Sequence, residues 1–161
     1  MRTAIRSRRL IWLVPALGLL ACSKGKADQA AMQPAAAVDT PPPAPTPAPV
    51  TATLVAKNNS KITGSVVLTR SDDSTAIAVT LNGGRSGTTY PSHIHFGHCD
   101  QPGGVVVPLT SVKVGADGSG TSTTTVATST LDAARQQHGS LLEQSHGPSG
   151  TPIACGDIPA Q

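Results

Sequence analysis

The segment Ser74–Asn82 (STAIAVTLN) shows most clearly which kind of fold this chain adopts. Its large apolar residues, Ile77, Val79 and Leu81, recur at every second position, with small or polar residues between them. Side chains of a β-strand point alternately to its two faces, so this spacing places all three on one face. The segment is therefore predicted to be a strand with one face against a core.

Further strand-like segments lie on both sides of this one, throughout residues 51–161. They are rich in Val, Thr and Ser, and turn-forming residues such as Asn58–Ser60 and Gly115–Gly118 separate them. The other predicted strands are Thr51–Lys57, Lys61–Arg70, Val105–Val107, Val112–Val114, Gly120–Thr128, Ser140–His146 and Thr151–Ile158. About eight short strands in one domain predict an all-β fold, an antiparallel Greek-key sandwich or barrel.

One short helix is predicted within this domain, at Thr130–His138. Thr130 can serve as its N-cap, and Leu131, Ala134 and His138 fall on one side of it. The helix interrupts the strand pattern only once, so the all-β class is unchanged.

The N-terminal residues 1–21 have the features of an export signal. Four arginines precede an apolar run of eleven residues, Leu10–Leu20, which is too short to span a bilayer. The ending Leu19–Cys22 (LLAC) resembles the bacterial lipobox, which implies cleavage before Cys22 and a lipid on its sulfur. Ser23 follows the cysteine instead of Asp. In a Gram-negative cell, this favours transfer of the lipoprotein to the outer membrane, where it would face the periplasm. An ordinary secreted protein with an incidental Cys22 is the alternative.

Removal of this signal changes the charge of the protein. Four of the twelve Lys and Arg residues lie within residues 1–21, and none of the nine Asp and Glu residues does. The remaining chain therefore carries eight basic and nine acidic residues. A basic surface for nucleic acid is not supported.

Residues 22–50 are predicted to be a disordered tether between the lipid and the folded domain. Residues 23–50 contain seven prolines, many alanines and almost no large apolar side chain. Such a segment cannot bury enough surface to offset its chain entropy, and its prolines favour extended polyproline II. A proline-rich ligand for another domain is the alternative to a spacer.

Two cysteines, Cys99 and Cys155, remain in the domain at 51–161. Tyr90 and Phe96 are its only aromatic residues, so its core must be aliphatic and thin. An even pair of cysteines in an oxidising compartment predicts a disulfide, which would strengthen such a core. A Cys/His metal site remains the alternative, because His98 adjoins Cys99.

Three of the five histidines, His93, His95 and His98, cluster in the segment Ser92–Cys99 (SHIHFGHC). On a strand, His93 and His95 project from the same face and can approach one metal ion, while Ile94 points to the other face. Neutral imidazole suits copper and zinc. A pair of histidines that is only hydrogen-bonded at a sheet edge is the alternative.

Several segments of the domain resemble the copper,zinc superoxide dismutases. Ala52–Val55 and Ile62–Val66 look like the first hairpin of that family. Gly87–His95 is similar to its G-x-H-G-F-H-V-H stretch, and Gly150–Ile158 resembles its terminal G-S-R-L-A-C-G-V-I. The middle of the domain also resembles the CHRD domain, through Ser92–Gly97 and Gly103–Leu109.

The dismutase resemblance implies a copper site. It assigns copper ligands to His93 and His95, with His146 as the third ligand and His98 and His138 in reserve. It also pairs Cys155 with Cys99, and it implies superoxide disproportionation by a cycling copper ion.

Two departures from the family pattern weaken the expected activity. No histidine lies between His98 and His138, so the zinc loop is missing and no zinc is expected. Pro152 stands where the family has an arginine that guides the anion, which weakens electrostatic steering. The sequence therefore predicts a superoxide dismutase-like, copper-binding lipoprotein with weak or no turnover. A competent copper-only dismutase and a metal-free CHRD-type structural or interaction module are the alternatives.

Overall fold

The structure is a computed structural model and describes residues 47–160. The predicted signal peptide 1–21, the predicted lipidation site Cys22 and the predicted tether up to residue 46 lie outside the described residues. The described chain forms eight strands and one helix: β1 Val50–Ala56, β2 Thr63–Arg70, β3 Ser74–Asn82, β4 Thr89–His98, β5 Gln101–Lys113, β6 Ser119–Ala127, α1 Thr128–His138, β7 Leu141–His146 and β8 Pro152–Ile158.

All strand pairs are antiparallel, and their order is β5-β4-β7-β8-β1-β2-β3-β6. The two outer strands, β5 and β6, approach each other through side chains. The Thr110 N–H donates to Thr124 Oγ1 at 2.7 Å, and Ser122 Oγ donates to the Thr110 carbonyl at 2.7 Å. These bonds make the sheet a nearly closed barrel.

The connections between strands are of the Greek-key type. From β3 the chain reaches β4 by passing over two strands, β6 and β5. From β6 it reaches β7 through α1, again passing over two strands. The predicted antiparallel Greek-key barrel of about eight strands with one short helix is confirmed.

The interior of the barrel is aliphatic, as the sequence predicted. Ile77, Val79 and Leu81 of β3 are all buried in one cluster with residues from the other strands. Tyr90 is the only aromatic residue in the buried set of the described chain. No helix in this part of the chain is long and apolar enough to cross a bilayer.

The strand between residues 101 and 113 is longer than predicted. The sequence indicated two pieces, Val105–Val107 and Val112–Val114, whereas β5 runs without interruption through Pro102 and Pro108. Proline is tolerated there because β5 has a backbone ladder on one side only, with β4.

The helix begins two residues earlier than predicted. Its N-cap is Ala127, which makes no side-chain cap bond, so the assignment of Thr130 as the cap is wrong. Contacts outside the helix hold its first residue instead: the Thr128 N–H donates to Asp73 O, and its hydroxyl lies 3.0 Å from Thr75 Oγ1. Tertiary packing therefore sets this helix start. Leu131 and Ala134 are buried, whereas His138 is exposed.

Candidate metal centre

Strand β4 places His93 and His95 on one face of the barrel wall. Ile94 between them is fully buried in the core, so the two imidazoles project to the outer face. The β4–β5 ladder has register shifts along this stretch, between Ile94 and His95 and again between His95 and Gly97. Such irregularities locally redirect side chains.

The neighbouring strand β7 brings His146 to the same place. β7 pairs with β4 so that His93 lies opposite Gln144, two residues before His146. The ring centroid of His146 lies 5.1 Å from that of His93 and 5.8 Å from that of His95, and the latter two are 5.7 Å apart. One nitrogen from each ring lies within 4.8 Å of the chosen nitrogens of the other two.

Two of the rings are oriented by backbone carbonyls. His95 Nδ1 lies 2.9 Å from the Gly103 carbonyl oxygen, and His146 Nδ1 lies 3.1 Å from that of Gly150. A carbonyl can only accept, so each Nδ1 carries the hydrogen and donates it. In a neutral ring the opposite nitrogen, Nε2, then has a free lone pair.

The remaining nitrogens are those that a metal ion would need. His95 Nε2, His146 Nε2 and His93 Nδ1 are buried and have no hydrogen-bond partner. A buried polar nitrogen without a partner is unfavourable unless a ligand satisfies it. Carbonyl-oriented histidines with converging lone pairs are the usual arrangement around a bound metal. The residues therefore fit a metal ion.

Burial and the neighbouring histidines favour the neutral form of His93, which is the form that can bind a cation. The pKa of its imidazole lies below the ordinary value because burial penalises the charged form, and the rings of His146 and His95 add to the effect. The ring is therefore more often neutral at a given pH than a free histidine, and only a neutral ring can be a ligand.

The two reserve histidines take no part in this cluster. His98 is exposed, and its Nδ1 lies 3.4 Å from Asp157 Oδ2. The ring of His138 stacks on Phe96, with centroids 4.1 Å apart and an interplanar angle of 15°. In residues 47–160, the three-histidine cluster is the one group of His, Cys, Asp or Glu residues with the geometry to hold a metal ion.

The predicted disulfide between Cys99 and Cys155 is confirmed. It joins the hairpin between β4 and β5 to strand β8, and Cys155 is fully buried. Since both sulfurs are in the bond, neither can be a thiolate ligand, and the alternative of a Cys/His metal site at Cys99 is wrong.

Three further features of the site were not predicted from the sequence. The carbonyls of Gly103 and Gly150 carry no residue-specific signal, because any residue has a carbonyl. The third feature is Glu143, which is fully buried on β7. Its period-two spacing from Leu141 on a predicted strand, which places both residues on one face, was a visible signal for it.

Comparison with known proteins gave one kind of match. No protein-family model matches the sequence, and no curated protein does. Among solved structures, the chain is similar to the crystal structure of an SOD-like protein from Bacillus subtilis. The identity is 19%, the match covers 68% of this chain and 97% of that one, and the TM-score is 0.49.

Proposed function

We propose that this protein is a superoxide dismutase-like, copper-binding lipoprotein of the cell envelope, with weak or no dismutase turnover. The ligands are His93, His95 and His146. One observation carries the proposal: each of the three imidazoles has a buried nitrogen without a hydrogen-bond partner, and one nitrogen from each ring lies within 4.8 Å of those of the other two.

The donor set favours copper. Three imidazoles suit Cu and Zn better than Mg or Ca, and a given nitrogen site binds Cu²⁺ more tightly than Zn²⁺. No carboxylate belongs to the cluster in the described chain, so the bound ion would keep its full charge. Neutral ligands of this kind favour an ion of low charge, and copper can be held there as Cu(I).

Weak turnover follows from the neighbourhood of His146. Pro152, at the position where the dismutase resemblance places a guiding arginine, is the backbone partner of His146 across the β7–β8 ladder. A proline adds no positive charge for attracting an anion. Copper held by the three histidines would therefore meet superoxide without electrostatic guidance.

Copper titration of the purified protein tests the proposal. We expect one copper ion per chain, and in His93→Ala we expect the affinity to fall by on the order of 100-fold, because loss of second-shell support alone typically costs 10–100-fold. His98→Ala and His138→Ala are matched controls that should bind as the parent does. Absence of stoichiometric binding, or unchanged binding in His93→Ala, would favour the metal-free structural module.

A competent copper-only dismutase is the second candidate function. It is favoured by the partial exposure of His93 and His146, which places the cluster close to the surface although the ligand nitrogens themselves are buried. A superoxide assay on the copper-loaded protein separates the two. A rate no higher than that of His93→Ala supports the binding function, and a clearly higher rate supports the enzyme.

The envelope location is proposed from the N-terminal sequence. The lipobox-like ending at Cys22 and the proline-rich segment up to residue 50 support a lipid anchor and a spacer. Cys22→Ser should move the protein from the membrane fraction to the soluble fraction. A parent protein that is already soluble would contradict the anchor.

A further inference from the structure

A buried polar cluster lies on the inner side of strands β4 and β7, behind the histidines. Ser92, Glu143 and Ser145 are each 0% exposed. The Ser145 hydroxyl donates to Glu143 Oε1 at 2.8 Å, and Ser145 Oγ lies 2.8 Å from Ser92 Oγ. Because the Ser145 hydrogen is used on Glu143, the Ser92 hydroxyl is the donor in the second bond.

This cluster is out of place in its surroundings. Ile94, the ladder partner of Glu143, and Leu141 on the same face of β7 both belong to the aliphatic core. Glu143 Oε2 is buried without a hydrogen-bond partner. A polar group buried with incomplete hydrogen bonding destabilises a fold relative to an apolar residue of similar shape. Stability alone therefore does not explain these three residues.

The position of the cluster suggests what it does. Ser92 immediately precedes His93, Ser145 immediately precedes His146, and the two serines are ladder partners. The bond between their hydroxyls thus links β4 to β7 one residue before each of these two histidines. The serines and the imidazoles lie on opposite faces of the same two strands.

We propose that Ser92, Ser145 and Glu143 form a positioning cluster that fixes the register of β4 against β7 and so makes the three imidazoles converge. The identity of the ion rests on the proposed copper function, whereas the positioning itself is a property of the metal-free protein.

The β4–β7 ladder is regular, but the ladders on both sides of it are not. Register shifts interrupt the β4–β5 ladder at three places, and another lies between Ser145 and His146 on the β7–β8 ladder. A strand shifted by one residue turns all its side chains to the other face. A one-residue slip of β7 would therefore turn His146 into the core. Buried polar contacts that stabilise little but select one register are known from other folds.

Two variants are decisive. Ser92→Ala removes the hydroxyl bond between the two strands. The combined Ser92→Ala, Glu143→Leu and Ser145→Ala makes the region apolar. Thr75→Val with Thr128→Val is the matched control. It removes the buried hydroxyl pair between β3 and α1, which does not join the histidine-bearing strands. Glu143→Gln keeps the shape and an acceptor for Ser145, and should keep the parent's arrangement of imidazoles and its copper affinity.

Two measurements are made on each variant. The first is the set of nuclear Overhauser contacts between the imidazole rings of His93 and His146 in the metal-free protein, whose ring centroids lie 5.1 Å apart. These contacts report whether the facing imidazoles converge. The second is the copper affinity together with the electron paramagnetic resonance spectrum of the Cu(II) form.

We expect Ser92→Ala and the combined variant to weaken or lose the ring contacts between His93 and His146. Copper affinity should fall by about tenfold or more, and the Cu(II) spectrum should be heterogeneous. The combined variant should nevertheless melt at the same temperature as the parent or higher. A folded Ser92→Ala protein with the parent's ring contacts and a single parent-like Cu(II) spectrum would overturn the proposal. If the combined variant does not fold, Ser92→Ala decides in the same two measurements.

The two proposals fail in different ways. If the parent shows ring contacts between His93 and His146 that Ser92→Ala loses, but binds no copper, the positioning cluster stands and the copper function fails. If both proteins bind copper with equal affinity and show equal ring contacts, the copper function stands and the positioning cluster fails.

Discussion

The Gly103 carbonyl oxygen lies 2.9 Å from Nδ1 of His95, and the ring of Phe96 covers the same glycine. A Cβ at Gly103 would lie 2.0 Å from Phe96 Cε2 and 2.2 Å from its Cδ2. Strand β5 therefore provides the carbonyl that orients His95 only because residue 103 has no side chain.

Gly103→Ala should weaken the site through this contact. The phenyl ring is held by its stacking on His138, so we expect the β5 backbone to take up part of the shift, which displaces the carbonyl and loosens His95. We expect a loss of about 1–3 kcal/mol in the free energy of unfolding and about a tenfold loss in copper affinity. Urea unfolding and copper titration measure these two quantities.

The neighbouring Gly104→Ala is a graded control for this prediction. A Cβ there would lie 3.1 Å from Phe96 Cε1, a contact that a small shift relieves. Its effect should be clearly smaller than that of Gly103→Ala, and equal effects would contradict the specific role of Gly103.

Glu143 should make the stability of the metal-free protein depend on pH. Burial raises the pKa of its carboxyl from 4.5 to about 7, and the hydroxyl groups of Ser145 and Ser92 oppose that change only in part. The folded protein therefore holds this proton more tightly than the unfolded chain does. It follows that stability is greatest below about pH 4.5 as far as this group is concerned, and falls between about pH 4.5 and 7.

The loss should be about 3 kcal/mol across that interval, by the usual conversion of pKa differences. Glu143→Gln should remove this part of the pH dependence and be more stable than the parent at pH 8. Urea unfolding at pH 5 and pH 8 measures it, with Asp100→Asn at an exposed position as the control. If the parent becomes more stable from pH 5 to pH 8, and Glu143→Gln has the same pH dependence as the parent, Glu143 is not the group responsible.

The strands were predictable from the sequence where one face is apolar and the other is not. Ile77, Val79 and Leu81 have this pattern, and β3 has the predicted bounds. β5 could not be predicted as one strand, because Pro102 and Pro108 are disfavoured in strand interiors, and only the edge position of β5 permits them. The start of α1 depends on contacts with Ser71–Thr75, which are distant in sequence and leave no local signal.

The candidate site was likewise predictable only in part. His93 and His95 were predictable as a pair from period-two geometry alone, whereas His146 depended on a family resemblance, because its approach requires β7 to lie beside β4. The two carbonyls that orient the rings belong to glycines, and hydrogen bonding by the backbone is set by the fold and not by residue type. Glu143 was overlooked because buried acids are rare.

The Cys99–Cys155 bond should contribute strongly to stability. It closes a segment with a sequence separation of 56 residues, which corresponds to about 4 kcal/mol in the chain-entropy description. Reductant should therefore lower the melting temperature, and the double variant Cys99→Ala with Cys155→Ala should melt at the same lower temperature. That variant should also be insensitive to reductant, and an equal response of both proteins to reductant would show that the bond is not the cause.

Pro152 offers a test of why turnover is expected to be weak. It is the ladder partner of His146, so a positive side chain introduced there would lie beside the proposed copper ion. Pro152→Arg should raise the rate of superoxide disproportionation by the copper-loaded protein by about tenfold or more, since local positive charge accelerates the encounter with a small anion. Because the effect is electrostatic, the gain should shrink as ionic strength rises.

Pro152→Gln removes the proline ring without adding charge and should leave the rate near that of the parent. An equal gain in both variants would assign the effect to backbone adjustment instead of charge, and a salt-independent gain in Pro152→Arg alone would do the same.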